Sequence, residues 1–351
     1  MHISRRTILA SAAAAALSAP ANAQLFPRRN AHAAPPTGPY AALAAYSAER
    51  RGVSLLIQKN GETLFEDYPR DGAVDKGWEL ASGTKSFTGI MAAMATTDGL
   101  LDIDEPVSKT ITQWNDEGRR KITIRHLLTL TSGLSGEGAV ARPPDYADAI
   151  KARAEKPPGA EFKYGPTNFQ IFGELLKRKL RRAGRESDPV KYLQSRVFES
   201  IGVKPTGWKR GEDGNPYMPQ GAQLTARDWA KFGRWVLDGA HSENGGGADR
   251  KVYTALFEST KANPGYGLSW WLLRPGLIGP GRAAGIDSDA IGAIAANEDV
   301  VMAAGAGDQR LYLLRKRGLV VARQANQIAR AMLPRSTKWR DDEFLKLLLA
   351  V

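Results

Sequence analysis

Two hairpin signatures lie near opposite ends of this 351-residue chain. The first is Asn60-Gly61, within the alternating stretch 53–65. Asn-Gly accepts the left-handed backbone that a tight strand turn requires. The second joins residues 311–314 to 319–323 through Arg315-Lys316-Arg317-Gly318. Between them lies a polar turn at 101–106, and then the pattern is mostly helical. One helix begins in residues 122–134 and stops at Ser132-Gly133, a second runs from Phe169 through Leu180, and others cover 190–201 and 224–237. In the last of these Thr225 stands as cap with Asp228 three residues on. Residues 266–271 return to strand composition, and 341–349 form an amphipathic helix. Strand-rich ends around a helical middle imply one domain whose sheet is assembled from both termini, with a helical region inserted at roughly residues 100–250.

Within that frame the chemistry centres on Ser82-Gly83-Thr84-Lys85, at the head of a helical pattern. Phe87, Ile90, Met91 and Met94 fall at i, i+3, i+4 and i+7, and Gly99 supplies the stop. Residues three apart on a helix face each other, so Lys85 reaches the Ser82 hydroxyl. A serine hydroxyl is a weak nucleophile until a nearby base takes its proton, and a lysine serves as base only when its environment favours the neutral amine. Backbone N–H groups at a helix start favour the negative charge that acyl transfer develops. About one S-x-x-K match is expected by chance in a chain this long. Ser82 is the only serine here followed at i+3 by lysine.

The N-terminus carries a different signal. Ser4-Arg5-Arg6-Thr7-Ile8-Leu9, an alanine-rich apolar run and Ala21-Asn22-Ala23 read as a signal peptide over residues 1–23, and the paired arginines suggest twin-arginine export to the periplasm or beyond. Residues 24–39 read as a flexible leader with a second candidate cleavage point after Ala33, leaving 40–351 as the folded domain. The apolar run is too short to span a bilayer, and no later run approaches the length needed. There is no cysteine, which excludes disulfides, thiol nucleophiles and thiolate-bound zinc. The formal charge is +12; removing Arg5 and Arg6 with the signal leaves about +10. The densest basic run, Lys177-Arg178-Lys179-Leu180-Arg181-Arg182, reads as a solvated helix face rather than a nucleic-acid surface.

Several stretches together resemble the serine β-lactamase and penicillin-binding-protein superfamily, in its class C and family VIII esterase branch. They are Ala81-Ser82-Gly83-Thr84-Lys85-Ser86-Phe87-Thr88, residues 99–106, residues 122–134, Pro158-Gly159 with Tyr164, and residues 221–233. The resemblance spans about residues 40–325 and implies an α+β fold of the β-lactamase/transpeptidase type, an antiparallel sheet flanked by helices. It implies that Tyr164, at the family's Y-x-N position, shares protons with Lys85 and Ser82. Here Pro166 replaces the asparagine that helps hold a β-lactam amide. Ala303-Ala304-Gly305 aligns with the family's K-T-G triplet, keeping the glycine and losing the cation. On that alignment the Ala306 N–H joins that of Ser82 as an oxyanion hole; a glycine-bearing strand that only packs is the alternative. The nylon-oligomer hydrolases and family VIII-type esterases share the retained Ser–Lys–Tyr set.

Other chemistries fit poorly. Of four histidines, His2 and His32 precede the domain, His126 sits in the 122–134 stretch as a structural residue, and His241 lies in a glycine-rich loop. No G-x-S-x-G surrounds Ser82. No H-E-x-x-H or clustered ligand pattern suggests a metal, and no dinucleotide fingerprint suggests a cofactor. The expectation is an exported serine hydrolase acting on a small-molecule ester or amide, with Ser82, Lys85 and Tyr164 catalytic and Gly305 and Ala306 at the oxyanion site. The alternatives are a β-lactamase or D,D-peptidase, or a non-catalytic penicillin-recognising protein that only binds a ligand. Substrate choice would lie in loops such as 136–146, 241–249 and 277–287.

Overall fold

The computed structural model describes residues 36–136, 142–241, 247–280, 297–331, 333 and 335–351. The signal segment and residues 24–35 of the leader lie outside them, as do residues 137–141, 242–246 and 281–287 of the loops 136–146, 241–249 and 277–287. A helix the sequence pattern did not announce, α1 (Ala41–Glu49), leads into strands β1 (Gly52–Lys59) and β2 (Glu62–Asp67), which turn at Asn60 and Gly61. Far along the chain, β6 (Trp271–Leu272), β7 (Val300–Gly305), β8 (Gln309–Leu314) and β9 (Leu319–Ala325) complete one antiparallel sheet of order β2-β1-β9-β8-β7-β6. The β1–β9 pairing, with Ile57 opposite Val321, joins the two ends as the hairpin signatures required.

Strand β1 does not alternate as expected. Its first six residues are all buried, because β1 is an inner strand covered on both faces. One cover is helix α7 (Ala226–Leu237), which packs on β1 and on its neighbours β9 and β8: a Cβ added at its Gly233 would stand 3.0 Å from Leu311 and Val320 atoms. Arg310 and Tyr312 alternate with Leu311 and point to the opposite face, where the C-terminal helix (Asp341–Leu349) lies. The expected cap is present, Thr225 Oγ1 accepting the Asp228 N–H at 3.0 Å. The helix begins only after it, since Leu224 belongs to strand β5 (Ala222–Leu224).

The serine segment forms a 3-10 turn (Ala81–Lys85) that runs into helix α2 (Ser86–Thr97). Phe87, Ile90, Met91 and Met94 are fully buried, but so are Ala92, Ala93 and Ala95. This helix therefore passes through the core instead of lying on it, and its small residues allow close packing on every side. A Cβ at Gly89 would meet the Leu268 carbonyl at 2.5 Å.

Between residues 100 and 250 lie helices α3 (Ile124–Leu128), α4 (Tyr146–Ala149), α5 (Thr167–Arg182) and α6 (Pro189–Leu193), then α7, with two short strands among them. Helix α8 (Arg250–Ala255) follows. Helix α3 ends at Leu128, before Ser132-Gly133, because Leu130 adopts a left-handed backbone (φ 58°). Strand β6 is only Trp271–Leu272, not 266–271; Ser269 turns back with φ 69°, its N–H reaching the Leu128 and Gly267 carbonyls. The basic run on α5 is largely engaged. Lys179 meets Glu105 at 2.5 Å, Arg178 meets Glu174 at 2.6 Å, and Arg182 reaches the Lys109 and Thr110 carbonyls. Among the described residues no helix is long and apolar enough to cross a membrane.

Candidate active site

Strand β3 (Trp78–Glu79) delivers the chain to the serine turn. It pairs with β5, and β5 pairs with β4 (Gly207–Trp208), making a second small antiparallel sheet. The Leu80 N–H continues this ladder to the Ala222 carbonyl at 3.0 Å. Ala81 then adopts a left-handed backbone (φ 46°), uncommon without glycine and of order 1–3 kcal/mol in cost. The bend is braced by Thr84, whose Oγ1 donates to the Ala81 carbonyl at 2.7 Å and accepts the Ala222 N–H at 3.1 Å. The result is a sharp turn that leaves Ser82 partly exposed at the start of a buried helix.

Lys85 is buried, 4% exposed, one turn further on. Its Nζ donates to Ser82 Oγ at 2.8 Å and to the Pro219 carbonyl at 3.1 Å. The nitrogen also lies 4.9 Å from the ring centre of Tyr164 and 5.4 Å from that of Phe169. Burial of this kind penalises an ammonium relative to a neutral amine, while the adjacent rings and carbonyl oxygen favour a cation. The three residues that sequence spacing and resemblance singled out are thus brought together.

Tyr164 sits at the approach to α5. The Lys163 N–H bonds the Leu130 carbonyl at 3.0 Å, tying this segment to the turn after α3. Its half-buried ring stacks on Trp271 at 5.4 Å and 30°, with Tyr266 edge-on at 6.4 Å. Trp271 is opposite Met302 in the sheet, so the aromatic group is anchored to β7.

Strand β7 forms the other wall. Gly305 packs so closely on the serine turn that a Cβ there would lie 2.0 Å from the Leu80 carbonyl oxygen and 3.1 Å from the Gly83 nitrogen. Ala306 follows, partly exposed, as the first residue of the turn into β8. Ala303 and Ala304 are buried and apolar where the family resemblance expects a cation and a hydroxyl.

His126 is a cap rather than a base. Its Nδ1 accepts the Thr123 N–H at 3.1 Å while Thr123 Oγ1 accepts the His126 N–H at 3.3 Å. His241 pairs with Arg250 at 2.8 Å, at the exposed surface. Asn168, two residues past Pro166, accepts the Ser132 hydroxyl at 2.7 Å. The Pro219 carbonyl and the rings of Phe169, Tyr266 and Trp271 are site neighbours that sequence reasoning missed. A backbone carbonyl leaves no residue-type signal, and the aromatic run 266–271 marked strand composition without showing where it packs. Among the described residues no cluster of histidine and carboxylate side chains could hold a metal.

The chain is 29% identical over 191 residues to Protein flp of Staphylococcus aureus (strain MW2), an alignment covering 49% of this chain and 38% of that protein. It is 32% identical over 168 residues to monacolin J acid methylbutanoyltransferase of Aspergillus terreus, covering 39% of each. The chain thus spans about two fifths of the length of these curated relatives. Among solved structures, EstCE1, described as a hydrolase with promiscuous acyltransferase activity, superposes with a TM-score of 0.65 at 15% identity, over 89% of this chain and 98% of that one. The Beta-lactamase family model matches residues 30–344. With that match and the antiparallel sheet and helices described above, the chain belongs to the β-lactamase family of serine hydrolases.

Proposed function

We propose that this protein hydrolyses a carboxylic ester or amide through an acyl-enzyme on Ser82. The observation that carries the reading is the 2.8 Å bond from the buried Lys85 Nζ to the partly exposed Ser82 Oγ. In the reaction, Lys85 as a neutral amine takes the Ser82 proton while Oγ forms a bond to the carbonyl carbon, and the carbonyl electron pair moves to oxygen. The Ser82 and Ala306 amides hold that oxyanion. Collapse breaks the bond to the leaving group, and the proton returns from Lys85 through the Tyr164 hydroxyl to the departing oxygen or nitrogen. Water then repeats the sequence on the acyl-enzyme and frees Ser82.

Two features favour an ester or amide over a β-lactam or a D-Ala-D-Ala peptide. Pro166 occupies the position of the amide-holding asparagine, and the apolar pair Ala303-Ala304 removes a carboxylate anchor from β7. The names of the relatives, a methylbutanoyltransferase and a hydrolase with acyltransferase activity, fit an acyl group parked on a serine. Export to the periplasm or beyond is part of the proposal and rests on Arg5-Arg6 and the apolar run after them.

Turnover of short p-nitrophenyl esters measured beside a penicillin tests the reading. Ester turnover that exceeds penicillin turnover and vanishes in Ser82→Ala is expected. Faster hydrolysis of the penicillin would move the protein to the β-lactamase alternative.

A further inference from the structure

Two arginines stand directly opposite each other in the middle of the sheet. Arg310 on β8 pairs with Arg323 on β9, and both side chains are fully buried. Like charges across a ladder repel, and burying a guanidinium is costly. The carboxylate of Asp341, also fully buried, meets Arg310 in a fork: Nε to Oδ1 at 2.7 Å and Nη2 to Oδ2 at 3.1 Å. Trp339 Nε1 donates to the same Oδ1 at 3.0 Å, and the Tyr312 hydroxyl donates to it as well. Burial opposes charge on Arg310, but Asp341 outweighs it and holds the guanidinium above its usual range. On Arg323 burial prevails and pushes the value down to about 10. A buried ion pair is weak support for stability, since apolar residues of similar volume serve as well. Its geometry offers a better account.

A third guanidinium nitrogen of Arg310, Nη1, points at the active-site strand. Nη1 donates to the Gly305 carbonyl at 3.2 Å and to the Gln309 carbonyl at 3.1 Å, the two ends of the β7–β8 turn. Arg323 Nη1 holds the Asp308 carbonyl in the same turn, and Arg51 pairs with the Asp308 carboxylate at 2.8 Å. The Gly305 carbonyl and the Ala306 N–H belong to one peptide unit. That unit is planar and trans, so fixing the carbonyl on one side aims the N–H to the other. A cation on the carbonyl also polarises the amide and strengthens its N–H as a donor.

We propose that Arg310, held by Asp341, is a positioning residue that orients and polarises the Gly305–Ala306 peptide for the oxyanion. It rests on the acyl-enzyme reading above. Arg310 touches no substrate; it acts through the Ala306 amide. The fork explains why arginine is needed, since one guanidinium spans Asp341 and the Gly305 carbonyl together. A lysine has a single nitrogen and keeps the charge without the span.

The test compares kcat and KM of the wild type and Arg310→Lys on a p-nitrophenyl ester, with melting curves to show that the variant is folded. The expected result is a kcat at least about tenfold lower with KM within about twofold, as for a misaimed oxyanion donor. A smaller fall in kcat, or a loss carried by KM, overturns the proposal. Should Arg310→Lys fail to fold, the double variant Arg310→Met with Asp341→Leu leaves no unpaired buried charge of that pair and is read by the same criterion. Ester turnover that needs Ser82 but is indifferent to these substitutions overturns the positioning role alone. Wild-type turnover that survives in Ser82→Ala, or is absent, overturns the acyl-enzyme reading and the positioning role with it.

Discussion

Gly305 and Leu80 approach so closely that a single added carbon on the glycine would stand 2.0 Å from the leucine carbonyl oxygen. This contact seats β7 against the turn that carries Ser82. Both partners meet through backbone, so no side-chain rotation relieves the overlap. Gly305→Ala is expected to push the strand away from the serine turn. The fold should lose roughly 1–3 kcal/mol, the usual cost of overpacking, and kcat should fall about a hundredfold through misplacement. Thermal melts and ester kinetics on the same preparation check both. Unchanged kcat would mean that β7 is only a packing strand.

Tyr164 is expected to act through its hydroxyl, because its ring has a separate structural task in stacking on Trp271 at 5.4 Å. Tyr164→Phe keeps the stack and removes the proton carrier. A kcat lower by about 10²–10⁴ with little change in melting temperature is the predicted outcome. Comparing an ester of a good leaving group with one of a poor leaving group sharpens the test. The loss should be larger for the poor one, since that leaving group depends more on receiving a proton.

His126 gives a stability signature independent of catalysis. Burial first, and the neighbouring Arg125 second, hold its imidazole below the usual 6.5. The folded chain therefore binds that proton less readily than the unfolded chain. Its contribution is complete above about pH 6.5 and is lost as the pH falls toward the lowered folded value. Melting temperature should thus drop more steeply between about pH 7 and pH 5 in the wild type than in His126→Gln. Equal slopes would contradict the assignment.

Much of this architecture could be read from residue patterns. Ser82 and Lys85 sit one helical turn apart, and the two hairpins declared themselves through turn residues. What stayed hidden has physical causes. Helix α2 reads as one apolar face because Ala92, Ala93 and Ala95 carry little hydrophobic signal, although all are fully buried. The small sheet around Trp78–Glu79 has strands of two or three residues, too short for any period to appear. Ser269 and Leu130 adopt left-handed backbone without glycine, so tertiary contacts override the local preference. Arg310 and Arg323 interrupt apolar strands as polar residues and suggest exposure, yet both are buried by partners distant in sequence. The Pro219 carbonyl beside Lys85 has no sequence signature at all.

The central claim is that Ser82 is a nucleophile activated by Lys85, whose Nζ stands 2.8 Å from its oxygen. The most direct measurement is the intact mass of the protein after a fluorophosphonate, followed by peptide mapping, with Ser82→Ala and Lys85→Met alongside. The account predicts one adduct per chain, mapped to Ser82, absent from Ser82→Ala and formed at least about a hundredfold more slowly in Lys85→Met. An unmodified wild type, or an adduct that persists in Ser82→Ala, would contradict it.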